Sequence, residues 1–348
     1  MKKWFVITSM LAAQQWSMSQ DYTSLNYRME DPGCIYYRHD SVLIHDFAKR
    51  PDGYWLFEPA SPRPDSAQVV FFVHGYSANN PAVYGQWIRH LVRQGNIVVF
   101  PRYQKNSLSP GPQQFVPNVV SAIKNSIMEL QSGDHVWPVV RPFFLIGHSF
   151  GGAIIADLSV NWQAYDLPHP DGMLLATPGT GPFRRFPLDD YAGMPTDAKL
   201  LVIVAKGDRT VGDGFGKLVF STSVKTPSRN LVRQYADQNG KLKLSQGHNE
   251  CYALDTAFDS GSHGYSFLRA KRAKLDALDL NVYWKLGDAL LDCVRQGENC
   301  QVAFGNTSEQ RSVGYWPDGT PIRPLEVIVP EKTAQPVDSD LVNLPNRQ

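Results

Sequence analysis

The sequence predicts an α/β fold, a mostly parallel central sheet with helices on both faces. Three observations carry that reading. Short apolar runs alternate with longer amphipathic ones between residues 54 and about 295. Several of the short runs are almost unbroken, which marks strands buried on both faces, as parallel strands under helices are. The stretch "FFLIGHSFGGAIIADL", Phe143 to Leu158, passes from a strand pattern to a helix pattern around a serine among glycines.

Taken in order, the expected strands are 54–57, 69–73, 97–100, 143–146, 173–176, 200–205 and 231–235. The expected helices are 81–94, 114–131, 152–161 and 280–295. Pro81 suits a first helical turn, where its missing N–H costs nothing. "VVSAIKNSIMEL" spaces its apolar residues at helical intervals. Alternation of this kind gives right-handed crossovers between parallel strands. Residues 178–199 are Gly/Pro-rich and too short for a large helical cap, so the face above that loop is expected to be open.

The chain has 348 residues, 43% hydrophobic and 19% charged. That supports one large domain, expected over 20–330, and excludes a mainly disordered chain. A formal net charge of +1 gives no argument for nucleic acid. The start, "MKKWFVITSMLAAQQWSMSQ", has Lys2 and Lys3 before an apolar run too short to span a bilayer, then small residues. This is the pattern of a signal peptide, expected over 1–19 with Ala13 as the alternative cleavage point. Export to the periplasm or medium follows, without stable membrane insertion afterwards. The polar, Pro-containing segment 331–348 is expected to be a flexible tail.

Four cysteines fit an oxidising compartment. Cys293 and Cys300 flank a helix end and are the expected disulfide; Cys34 and Cys251 are the remainder. No CxxC spacing or Cys/His cluster points to zinc, so no metal is expected.

In "LIGHSFGG", Gly147 and Gly151 flank Ser149 at two residues on either side, giving G-x-S-x-G. Placed between an apolar strand and a helix, this motif makes a sharp turn that lifts the serine hydroxyl above the sheet. Side chains at the glycines would collide with neighbouring backbone. The helix N-terminus that follows favours developing negative charge.

At these residues the chain resembles the α/β-hydrolase superfamily, without a large cap, over about 54–295. The resemblance implies a Ser–acid–His chain order. It implies an oxyanion hole from the backbone N–H groups of Phe150 and of Tyr76, in the "HGY" that follows the strand 69–73. His74 is expected to brace that loop. The acid is expected at Asp208, in "KGDRTV" after the strand 200–205; Asp189, Asp190 and Asp213 are weaker candidates. Two histidines compete as base. His263, in "DSGSHGYSF", is preferred over His248, in "LSQGHNECYALD", because its Ser/Gly flanks and aromatic sequel resemble the base loop of open relatives. His39, His45, His90, His135 and His169 are read as packing or surface residues, and His148 as packing beneath the turn.

The expected activity is that of an exported serine hydrolase acting on carboxylic esters, small or polymeric, through an acyl-enzyme and with no cofactor. Peptide or amide cleavage on the same fold is the enzymatic alternative. A binding protein on a hydrolase scaffold is the non-catalytic one. The oligomeric state is not readable from sequence.

Overall fold

A computed structural model describes residues 32–106, 112–181 and 188–330. The expected signal peptide at 1–19 and tail at 331–348 lie outside the described residues. The strands are β1 (Val42–Asp46), β2 (Tyr54–Pro59), β3 (Ser66–Val73), β4 (Asn96–Pro101), β5 (Trp137–His148), β6 (Pro170–Ala176), β7 (Lys199–Ala205), β8 (Ser228–Gln234), β9 (Asp237–Asn239), β10 (Leu242–Leu244) and β11 (Glu326–Ile328). The helices are α1 (Gly85–Arg93), α2 (Phe115–Ser132), α3 (Phe150–Asn161), α4 (Gly214–Thr222), α5 (Tyr265–Ala270), α6 (Lys285–Arg295), α7 (Cys300–Phe304) and α8 (Ser308–Arg311).

Among the described residues, nine strands form one sheet in the order β1-β2-β4-β3-β5-β6-β7-β8-β11. Strands β3 to β8 run parallel to their neighbours among themselves. β1 and β2 at one edge, and β11 at the other, pair antiparallel. The expected α/β class and mostly parallel sheet are therefore present.

The unbroken apolar runs explain the layers. Along β3, Val70 and Phe72 pack on one side with Trp87, Ile88 and Leu91 of α1 and with Leu286 and Leu290 of α6. Val69, Phe71 and Val73 pack on the other with Phe115 and Val119 of α2 and Ile154 of α3. Alternate side chains point to opposite faces, so a strand covered on both sides has no polar phase. Each such fully buried Val, Leu or Phe stabilises by roughly 1.5–3 kcal/mol.

Local signals set the helix starts. Asn80 accepts the Ala82 N–H at 3.1 Å and caps a short 3₁₀ turn, Pro81–Tyr84, that leads into α1. The expected helix 280–295 is one π-helical turn, Asp279–Trp284, followed by α6. Cys293 and Cys300 form the expected disulfide, with Cα atoms 4.6 Å apart, and tie the end of α6 to α7. Cys34 and Cys251 are not joined to each other; both are buried thiols. Among the described residues, no helix is long and apolar enough to cross a membrane.

Parallel strands share one carboxyl edge, and the loops after β3, β5 and β7 all open there. The strand order reverses at β3, with β4 on one side and β5 on the other. Crevices at such reversals are where open α/β sheets bind ligands.

Candidate active site

Ser149 stands between β5 and α3 with φ 53° and ψ −119°, a conformation that costs a non-glycine residue of order 1–3 kcal/mol. The surroundings enforce it. Its N–H donates to Ala176 O at 2.9 Å, and its carbonyl accepts from Gly179 N–H at 3.1 Å. The two motif glycines are required by close approach. A Cβ on Gly151 would lie 2.0 Å from the Val73 carbonyl oxygen, and one on Gly147 would lie 2.6 Å from the Gly151 backbone. Backbone strain gathers at this edge of the sheet: Ser77, Tyr103 and Thr177 also have positive φ.

The hydroxyl of Ser149 meets a histidine. Its Oγ lies 2.8 Å from His248 Nε2, and His248 Nδ1 lies 2.7 Å from Asp208 Oδ2. A carboxylate oxygen can only accept, so His248 carries its proton on Nδ1 and offers Nε2 to the serine O–H. The other oxygen of Asp208 accepts N–H bonds from Thr210 at 2.8 Å and Val211 at 3.0 Å. Burial pushes the Asp208 carboxyl up, but the hydrogen bond from His248 and those two N–H groups pull it the other way, leaving the pKa below the usual value. The result is a fixed carboxylate, a fixed tautomer and an oriented imidazole.

This geometry reverses the order of the two sequence candidates. His263 does not meet Ser149 or Asp208. Its Nε2 bonds Asp259 Oδ2 at 2.7 Å, its ring stacks on Phe267 at 4.3 Å, and its side chain is half exposed. The physical reason is the route of the chain. After β8 the hairpin β9–β10 turns the chain back, and the loop that follows carries His248 onto the site. His263 lies beyond that loop, with a carboxylate of its own four residues away. Asp189 and Asp190 lie on the loop before β7. Asp213 pairs with Lys217 at 2.7 Å.

A buried chain of hydrogen bonds locks the three loops together. Gly75 N–H donates to Tyr84 Oη at 2.9 Å, and Tyr84 Oη–H donates to His148 Nδ1 at 2.8 Å. His148 Nε2–H then donates to the His248 carbonyl at 3.0 Å, which also accepts from Thr177 Oγ1 at 3.1 Å. The directions follow from the ends: an N–H starts the chain and a carbonyl finishes it. Burial, with His248 close by, lowers the His148 pKa to about 3, so the ring is neutral and the order is kept. Sequence reasoning gave His148 only a packing place. The motif itself could have pointed to it, since it precedes the serine on the same turn.

His74 is buried, and burial lowers its pKa to about 4. As a neutral ring it has one N–H to share between Gly75 O at 2.7 Å and Arg102 O at 2.8 Å. It also stacks on Tyr103 at 4.1 Å, so it braces the loop as expected.

Around Ser149 a cavity of about 200 Å³ is lined by Tyr76, Phe150, Val211, Tyr252, Tyr265 and Arg269, among others. Tyr76 and Phe150 thus border the same space as Ser149 and His248. α5, absent from the sequence reading, supplies Tyr265 and Arg269. A scan of the sequence against protein-family models finds no match, and a search of curated proteins finds none either.

Proposed function

We propose that the chain is an α/β-hydrolase that cleaves carboxylic esters with Ser149 as nucleophile, His248 as general base and Asp208 as the orienting acid. One observation carries the reading: a strained Ser149 whose Oγ is 2.8 Å from an imidazole that is 2.7 Å from a buried carboxylate. Buried structural serines have no need of positive φ or of a carboxylate-oriented histidine. The strand order, with its reversal at β3, supports the superfamily assignment.

The chemistry follows from the proton inventory. As Oγ bonds to the ester carbonyl carbon, its proton passes to His248 Nε2. Asp208 stabilises the imidazolium so formed. The carbonyl oxygen becomes an anion, which the N–H groups of Tyr76 and Phe150 hold, the latter at the N-terminus of α3. The C–O bond to the leaving alcohol breaks, and His248 returns the proton to that oxygen. Water repeats the sequence on the acyl-enzyme, releasing the acid and free serine. Export is part of the same proposal; the Cys293–Cys300 disulfide supports it.

The test is a fluorophosphonate probe on the folded protein, followed by peptide mapping. Adduct on Ser149 and none in Ser149→Ala is the expected result. No adduct on the folded wild type would sink the reading and favour a binding protein. A short-chain p-nitrophenyl ester suits the modest cavity, and a chromogenic peptide panel beside it separates esterase from peptidase.

A further inference from the structure

The far edge of the sheet holds a cluster of two histidines and a glutamate that shares no residue with the Ser149 cleft. β1 supplies His45, β2 supplies Glu58, and the loop between α2 and β5 supplies His135. One ligand atom from each lies within 4.8 Å of the others. Glu58 is 1% exposed, an unusual place for a carboxylate. Its Oε2 is held by the Val136 N–H at 2.6 Å. Its Oε1 faces both rings, 2.7 Å from His135 Nδ1 and 3.0 Å from His45 Nε2.

The His45 contact is the informative one. Although Nε2 sits 3.0 Å from a carboxylate oxygen, the two are not aligned as a hydrogen bond, and this buried nitrogen has no other partner. Two such atoms share an ion naturally: at zinc–ligand lengths of about 2.0–2.2 Å, tetrahedral neighbours stand roughly 3.3 Å apart. The ring of His135 is also oriented from behind. Its Nε2 lies 3.3 Å from Glu129 Oε1 on α2. A carboxylate on the distal nitrogen is the usual support of a ligating histidine.

We propose that His45 Nε2, Glu58 Oε1 and His135 Nδ1 bind a divalent transition-metal ion of the zinc class, which pins edge strand β1 to β2 and to the α2–β5 loop. Two imidazoles and one carboxylate suit zinc and its neighbours better than magnesium or calcium, which prefer all-oxygen shells. His135 gives up its Nδ1 proton on binding and keeps Nε2–H for Glu129. The fourth position would be left to a non-protein ligand such as water. No spacing motif announces the site, because His135 lies 77 residues beyond Glu58. The sequence expectation of no metal rested on such motifs alone.

The test uses the full chain, stripped with chelator and then dialysed. Zn²⁺ is titrated by calorimetry, and Co²⁺ serves as a visible-absorption probe of ligand geometry. Binding of one equivalent, tetrahedral Co²⁺ bands and a Tm that rises with Zn²⁺ are expected. His45→Ala, on a partly exposed edge strand, should abolish all three while far-UV circular dichroism is kept. Glu129→Gln should weaken Zn²⁺ by roughly 10- to 100-fold. Two results would overturn the proposal: no saturable Zn²⁺ binding by folded wild type, or binding unchanged in both His45→Ala and Glu58→Gln. The cluster would then be a buried carboxylate paired with a charged His135.

Discussion

Two histidine–aspartate pairs share one contact distance and differ in burial and in what faces the second ring nitrogen. His248 and Asp208 meet at 2.7 Å across 40 residues, both buried. His263 and Asp259 meet at 2.7 Å across four residues, with the histidine half exposed. The carboxylates are similarly furnished. Asp208 accepts two backbone N–H bonds, and Asp259 accepts from Asn80 Nδ2 and Gly261 N–H, both at 2.8 Å. What differs is the remaining imidazole nitrogen. That of His248 faces a strained serine at the carboxyl edge of the sheet, whereas His263 lies against Phe267 on an outer loop. An oriented imidazole is therefore a common local product. In the proposed mechanism, its place at the strand ends is what gives it chemistry.

The largest expected effects put that contrast to a kinetic test. With a p-nitrophenyl ester, Ser149→Ala or His248→Ala should lower kcat by about a million-fold, and Asp208→Asn by about 10,000-fold. His263→Ala and Asp259→Asn should stay within about twofold, since neither touches the reacting atoms. A collapse of kcat in His263→Ala with His248→Ala still active would invert the assignment and return the base to the loop the sequence favoured.

A smaller effect probes why His248 is so well placed. His148 donates to the His248 carbonyl, so under the proposed mechanism it would act through the base loop, as a positioning residue. His148→Phe removes the donor and leaves Thr177 as the remaining bond to that carbonyl. The same change also takes the Nδ1 acceptor from the buried Tyr84 Oη–H, and losing a buried partner costs about 1–3 kcal/mol. The expected loss is therefore roughly 10- to 100-fold in kcat, with KM little changed. His148→Gln, whose amide can reach the same carbonyl, should recover part of it. Because burial keeps His148 neutral down to about pH 3, the pH–rate profile should keep its shape in both variants. Equal losses in kcat and stability, with no recovery by Gln, would reduce His148 to a packing role.

The contrast also marks what a sequence can disclose. Ser149 was legible because its signal is local: strand, turn and helix lie within one quoted stretch, and the glycines exist for contacts the turn itself creates. Asp208 was legible because the end of an apolar strand fixes where its turn falls. The partner histidine was legible only as one of two, His248 standing second to His263, because its position depends on how far a polar hairpin, β9–β10, returns the chain. Local context then misled, since His263 is flanked by the same small residues that mark mobile site loops. β1 was missed for a related reason. "VLIHD" is a half-exposed edge strand without a continuous apolar run, so neither it nor His45 stood out. α4 and α5 are short and join loops rather than strands in the apolar pattern, which hid Arg269.

The smallest expected effect asks whether the outer pair does anything at all for the fold. Burial raises the Asp259 carboxyl, but hydrogen bonds from His263, Asn80 and the Gly261 N–H outweigh it and hold the pKa below its usual value. A carboxyl held down in the folded state adds stability above its unfolded pKa of about 3.9, and that gain is lost as pH falls through the lower folded value. Solvent screens this exposed pair, so its worth is about 0–1 kcal/mol. In urea titrations, His263→Ala should cost no more than that near pH 5. The pH-dependent part should vanish near pH 2, leaving only the lost stacking on Phe267. A cost above about 2 kcal/mol that persists in acid would identify His263 as a packing anchor for α5. The two pairs would then divide as chemistry and scaffold, instead of as chemistry and a solvated surface contact.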